Sequence, residues 1–186
     1  MRARKTTGAR RLAALALAAA TAAAGIAATA VPAAAQATAN RVEAFRDWSV
    51  FTAEANGPVC WVVTQPQSWE ARRDGRKVNV NRGDIYLMVA IRPQQGVRNE
   101  VSLVAGYEFR DGSTVRAEIG SDRFELFTRG ENAWLRPGGD EAMIEAMKAG
   151  SVAVVTGVSS RGTTTIDRFS LLGFTDALNS AQSRCR

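Results

Sequence analysis

The chain has 186 residues, with 24 Lys and Arg against 18 Asp and Glu, a formal net charge of +6, a pI near 10.1 and no histidine. The missing imidazole excludes Ser-His-Asp and Cys-His catalysis and His-containing zinc sites, and two cysteines without a CxxC pair exclude a four-thiolate metal site within one chain. Five of the basic residues and none of the acids fall in the first 35 positions, leaving 19 against 18 beyond them, so the nucleic-acid reading that a basic pI invites is set aside.

Those first 35 residues have the three-part pattern of an export signal. Arg2, Arg4, Lys5, Arg10 and Arg11 form the positive end, Leu12 to Val31 is uncharged and rich in Ala, and Ala33-Ala34-Ala35 offers small residues for cleavage before Gln36. Ala is too weakly apolar for a permanent anchor, so a cleaved signal over 1–35 and no transmembrane anchor afterwards are expected. The 151 residues that remain are the size of one domain. A flexible leader is expected over 36–44 and a β-sandwich domain over 45–186. Export from the cytoplasm exposes thiols to oxidation, so Cys60 and Cys185 are expected to form a disulfide.

Short β segments begin at Phe45. Trp48 and Val50 alternate with Asp47 and Ser49, and Trp61 and Val63 follow the Gly57-Pro58 break. Glu70 to Gly83 is polar and basic and reads as a long exposed loop or hairpin arm. In Asp84 to Arg92, Ile85, Leu87, Val89 and Ile91 share one face while Tyr86, Met88 and Ala90 make the other apolar, which predicts a strand covered on both sides. Val101 to Val104 follows, Asp111-Gly112 signals a turn, and Val115 to Ile119 and Arg123 to Thr128 form a meander. Asp140 is placed to cap a short helix with a Met143, Ile144, Met147 stripe and a stop at Gly150. Two strands around Ser159 to Gly162 come next. A last helix starts near Phe174 and sets Phe174, Ala177, Leu178, Ala181 and Cys185 on one face. The sum is a mainly β chain, an antiparallel sandwich or partly open barrel with two short helices.

Candidate sites are few. Trp48, Trp61 and Trp134 are assigned to the core, as is the Met143 and Met147 stripe. Trp69 stands before Arg72, Arg73, Arg76 and Lys77, an aromatic with cations that could dock an acidic partner, a lipid headgroup or a polyanionic envelope polymer. The turn Ser160, Arg161, Gly162 and Thr163 offers hydroxyls and a guanidinium to an anion, although a plain hairpin turn explains the same residues. For catalysis only carboxylates such as Glu108, Glu118, Asp122 and Glu125, or a Ser-Lys pair using Lys77 or Lys148, are available; no catalytic residue, metal ligand or cofactor is assigned.

Three segments in order, Phe45-Arg46-Asp47-Trp48-Ser49-Val50, Ala90-Ile91-Arg92-Pro93 and Phe169-Ser170-Leu171-Leu172-Gly173-Phe174-Thr175-Asp176-Ala177-Leu178, resemble the opening, the central strand end and the closing segment of the invasion-associated locus B family of exported alphaproteobacterial proteins. The resemblance implies a single immunoglobulin-like antiparallel β-sandwich in the periplasm or at the outer membrane, with no known catalytic residues. The expected function is therefore non-enzymatic binding of an envelope or host-surface partner, possibly an anionic one. A small periplasmic hydrolase using paired carboxylates and a purely structural envelope protein are the alternatives.

Overall fold

The computed structural model describes residues 39–186, so the export signal, its cleavage site and positions 36–38 of the leader lie outside the described residues. Twelve strands, a 3-10 turn and two helices follow in order: β1 (Asn40–Phe45), β2 (Trp48–Glu54), β3 (Pro58–Thr64), β4 (Ser68–Arg73), β5 (Arg76–Val78), β6 (Tyr86–Arg92), the turn Pro93–Gln95, β7 (Val97–Val104), β8 (Thr114–Ile119), β9 (Asp122–Arg129), β10 (Asn132–Leu135), α1 (Asp140–Ala149), β11 (Val152–Val158), β12 (Thr164–Ser170) and α2 (Phe174–Arg184). The expected mainly β, antiparallel architecture with two short helices is what the chain adopts.

All strands belong to one sheet in the order β1-β2-β3-β6-β7-β10-β9-β8-β11-β12-β4-β5. Its shape follows from one short connection. In a flat sheet β3 and β4, third and eleventh in the order, would be eight strand spacings or about 38 Å apart. Only Gln65 to Gln67 joins them, and the four Cα steps from Thr64 to Ser68 reach at most about 14 Å. The sheet must fold over on itself into two layers. At the two ends of this connection Thr64 Oγ1 donates to the Asp47 carbonyl (2.7 Å) beside β2, and Gln67 N–H donates to the Arg168 carbonyl (2.8 Å) of β12, each bond lying within its own layer.

Alternation fills the space between the layers. Val50, Val62, Leu87, Val89, Val101, Leu103, Val115, Ala117, Leu126, Val155 and Phe169 all point inward and are buried. Helix α2 packs on β2 and β3, and α1 packs on β7 and on α2. The buried residues of α2 are Phe174, Ala177, Leu178 and Ala181, and Cys185 beyond it bonds Cys60 with Cα atoms 6.0 Å apart. Both expected faces therefore meet. Met143 and Met147 are wholly buried, as assigned.

The opening and closing segments that carry the family resemblance touch each other. Trp48 Nε1–H donates to the Ser170 carbonyl (3.0 Å), and the Phe174 ring lies 4.8 Å from the indole. Gly173 has φ +88°, and a Cβ there would lie 2.1 Å from the Phe45 carbonyl oxygen, so only glycine permits this approach. The Trp that opens the second strand and the Leu-Gly-Phe start to the last helix are one packing unit written at two ends of the chain.

Four expectations need correction. Asn40 to Ala44, read as the end of the leader, belong to strand β1, because the tight turn at Arg46-Asp47 lets it pair with β2, and Glu43 accepts hydrogen bonds from Ser180 and Arg184 of α2. Of the loop or hairpin arm expected from Glu70, the hairpin forms, with Asp74 (φ 51°) and Gly75 (φ 75°) turning β4 into β5, but it does not stand free, because β4 pairs with β12 inside the sheet. Strand β6 is covered on its inner face only; Tyr86, Met88 and Ala90 face outward and are half-buried. Asp140 does not cap α1, whose N-cap is Gly139; its carboxylate instead accepts the Val101 N–H of β7 at 2.8 Å.

Candidate functional site

The end of the sandwich that holds the β4–β5 hairpin is organised by a residue that the sequence reading passed over. Between β5 and β6 the chain crosses Ala105-Gly106 so closely that a Cβ on Gly106 would lie 2.5 Å from the Gly83 carbonyl oxygen, and Gly83 N–H donates to the Gly106 carbonyl at 2.9 Å. That crossing drives the Arg82 side chain into the interior. Its guanidinium forks onto Asp167 of β12 (Nη1 to Oδ1 2.5 Å, Nη2 to Oδ2 2.9 Å) and donates to the Ala105 carbonyl (3.0 and 2.7 Å). Both side chains are only 2% exposed. The cation is flanked by the rings of Trp69 and Tyr107, with centroids at 5.1 and 5.0 Å, and the Tyr107 hydroxyl bonds Thr165 Oγ1 at 2.7 Å. Burial pushes the Tyr107 phenol up to about 12, against the weaker opposing effect of that hydrogen bond.

Trp69 is 42% exposed, as expected of a recognition aromatic, but the cation against it is Arg82 and not the arm residues. Strand alternation splits the candidate patch. In register, Trp69 pairs with buried Asp167 and Ala71 with buried Thr165, so Trp69, Ala71 and Arg73 share the inner face. Glu70, Arg72 and Lys77 share the other, where Arg72 (2.8 Å) and Lys77 (3.4 Å) both pair with Glu70. The Arg72 hydrogen bond is the main reason the Glu70 carboxyl is held below its usual range.

The two candidate segments nevertheless converge. Arg73 Nε and Nη2 donate to Thr163 Oγ1 at 3.2 and 2.7 Å, and Arg72 is the register partner of Thr164, so the hairpin lies beside the β11–β12 turn. Ser160 and Arg161 are exposed at that turn, while Thr163 is buried and its N–H donates to Ser159 Oγ (3.1 Å). A third segment joins them. A Cβ on Gly162 would come within 3.2 Å of Arg110 Nη2, and Arg110 N–H donates to the Val158 carbonyl (3.0 Å). Arg73, Arg76, Arg110 and Arg161 thus come to one end of the molecule from three parts of the sequence.

The tryptophans divide. Trp48 is wholly buried, as assigned, but Trp61 and Trp134 sit on the outer face of the sheet and are half-buried, because their strand neighbours Cys60, Val62, Ala133 and Leu135 take the inward positions. Of the acids considered for catalysis, Glu118 accepts from Arg123 across the β8–β9 hairpin (3.0 Å), and Glu108, Asp122 and Glu125 are exposed. No group of three or more His, Cys, Asp and Glu able to hold a metal is found among the described residues. No helix there is long and apolar enough to cross a membrane.

Fold and site together define a disulfide-tied antiparallel β-sandwich whose two helices are fastened to its inner face. Residues 48–182 match the family described as Invasion associated locus B (IalB) protein, and the chain belongs to that family. Among solved structures it is similar to the crystal structure of invasion associated protein B from Bartonella henselae, at 18% identity with a TM-score of 0.52, over 76% of this chain and 95% of that one. That likeness carries the fold alone. No curated protein matches the chain.

Proposed function

We propose that this member of the locus B family is an exported, non-catalytic protein of the periplasm or outer membrane that binds an anionic envelope or host-surface partner. The partner is held at the end of the sandwich where the β4–β5 hairpin meets the β11–β12 turn. The observation that carries the reading is the Arg73–Thr163 contact, which joins a basic hairpin and a hydroxyl-rich turn ninety residues apart in sequence into one surface. Arg76 and Arg161 stand exposed on either side of it, and Arg110 approaches from a third loop. Opposite-sign attraction of this kind speeds encounter and weakens with salt. The export reading rests on the positive, apolar and small-residue sequence of positions 1–35.

The test is association of the chain from Gln36 onward with isolated envelopes across a salt series, for the wild type and for a variant carrying Arg76→Gln, Arg110→Gln and Arg161→Gln. The expected result is weaker binding with a flatter salt dependence and an unchanged unfolding midpoint. Wild-type association that ignores salt, or a variant that binds as well as the wild type, overturns the proposal.

A further inference from the structure

The outer face of β3, β6, β7 and β10 carries a feature that the basic end does not explain. Cross-strand register lines up Phe51, Trp61, Ala90 and Glu100 in one row and Val63, Met88, Ser102, Trp134 and Phe127 in the next. Each indole is backed by a phenyl ring on its outer side. Phe51 stacks on Trp61 with centroids 5.4 Å apart and planes 9° from parallel, and Phe127 leans on Trp134 at 5.8 Å and 32°. The facing sides of both indoles look inward along the rows, where the residues are small or flexible: Ala90, Ser102 and Met88. The result is a trough of about 340 Å³ with an aromatic wall at each side and these residues as its floor. That volume lies within the roughly 300–1,000 Å³ of small-molecule sites.

The walls are three strand spacings and one pleat repeat apart, about 16 Å between backbones. The trough holds no uncompensated charge: Glu100 accepts from Arg92 Nη2 at 2.9 Å, and Ser102 and Asn132 supply a hydroxyl and an amide. Neutrality excludes the polyanion proposed for the other end, since an anion here would meet a guanidinium already paired with a carboxylate. A protein partner would need roughly 800 Å² on its own side, more than a trough of this size gives. What fits is a ligand with flat apolar faces and a fringe of hydroxyl groups. We infer that this trough is a carbohydrate site, taking a short run of neutral pyranose rings whose C–H faces lie against Trp61 and Trp134 and whose hydroxyls bond Glu100, Arg92, Asn132 and Ser102.

The walls are set before any ligand arrives. The Phe51 and Phe127 backings hold the indoles in one orientation, so binding orders few side chains. This site shares no residue with the hairpin end, so each proposal fails independently.

Affinity electrophoresis of the disulfide-intact chain tests it, in native gels containing laminarin, hydroxyethyl cellulose, dextran or galactomannan, with polygalacturonate as the charged control. The expected result is retardation by at least one neutral polymer, insensitive to salt. Trp61→Ala or Trp134→Ala should weaken it about tenfold, a loss of about 1.4 kcal/mol, while Trp61→Tyr and Trp134→Phe retain most of it. Ala90→Arg, which fills the floor without touching the core, should abolish it and serves if a tryptophan variant misfolds. Migration unaffected by every neutral polymer overturns the inference, as does retardation that the alanine variants share with the wild type. Salt-sensitive retardation by polygalacturonate alone also overturns it and leaves the hairpin end as the binding surface. Self-association that Trp134→Ala abolishes, without polymer binding, assigns the face to a second copy and overturns it equally.

Discussion

Removing one member of the Arg82–Asp167 pair should destabilise the protein far more than removing both. With each side chain 2% exposed, Arg82→Met leaves a buried carboxylate without its cation, and Asp167→Leu leaves a buried guanidinium without its anion. Each change should cost about 3–5 kcal/mol. Arg82→Met also takes both side-chain donors from the Ala105 carbonyl, a further loss of about 1–3 kcal/mol. The double variant buries no charge, so its loss should reduce to that carbonyl and to imperfect packing, about 1–3 kcal/mol in all. A domain of this size has about 5–15 kcal/mol of stability, so the loss of about 4–8 kcal/mol in Arg82→Met leaves a measurable folded state where the wild type lies in the upper part of that range. Urea unfolding of the oxidised chain gives the four free energies, and the expected coupling is several kcal/mol with m-values unchanged. Additivity, with the double variant as unstable as the two singles combined, would refute the assignment of these groups as a mutually compensating buried pair. The same variants report on the surface above: Arg82 supports the inner side of Trp69, so its loss should release that indole and loosen the hairpin without changing the distant trough.

Three further outcomes are expected. Cys60→Ser opens a bridge spanning 125 residues; chain-entropy arguments put the loss at about 2–5 kcal/mol, with α2 fraying first, and protection of the α2 amides equal to that of the oxidised protein would count against it. Burial raises the Asp140 carboxyl above its ordinary 3.8 despite the Val101 hydrogen bond, so the folded state holds that proton longer than the unfolded chain and stability falls as pH rises through the window above 3.8; Asp140→Asn should flatten this fall while keeping the bond to Val101, and thermal midpoints tracking the wild type at every pH would contradict it. The Tyr107 phenol should ionise only near pH 12, so a spectrophotometric alkaline titration should lose its last step in Tyr107→Phe, and an unchanged titration curve would show that another group supplies that step.

Much of this architecture is legible because burial imposes period two on strands and spacings of three and four on helices. The inward set of β6, the α2 stripe and the Cys60–Cys185 pairing all follow from those periods. Outer faces are not legible in the same way. An apolar residue at an outward position reads as core unless the partner layer is known, which is why Tyr86, Met88, Ala90, Trp61 and Trp134 were expected to be covered. Strand β1 escaped because none of its residues is fully buried, even Val42 staying exposed, so its place depends on the partner beside it. Arg82 escaped for a different reason: a basic stretch looks solvated throughout, and no local signal separates the one cation that turns inward. A signal did exist on the other partner. In Thr164–Ser170, alternation sets Asp167 with Thr165 and Phe169 on the buried face, and an acid there requires a cation from elsewhere in the chain.

The cations at the hairpin end have two physical explanations, and the topology assigns them to different residues. Strand β5 is a sheet edge, and an exposed edge invites pairing with another chain unless charge blocks it. Arg76 and Lys77 occupy that three-residue edge, so protection against edge-to-edge association is sufficient for Lys77 and adds to the anion contact proposed for Arg76. It does not account for Arg110 and Arg161, which come from loops and guard no edge. Nor does it account for Arg73, whose guanidinium is directed to Thr163 and so ties the hairpin to the turn that carries Arg161. That contact satisfies the buried Thr163 hydroxyl and also keeps the turn that carries Arg161 beside the hairpin. On the proposed reading, that contact sets the spacing between the hairpin and Arg161, and a constant spacing of cations favours one anion over others.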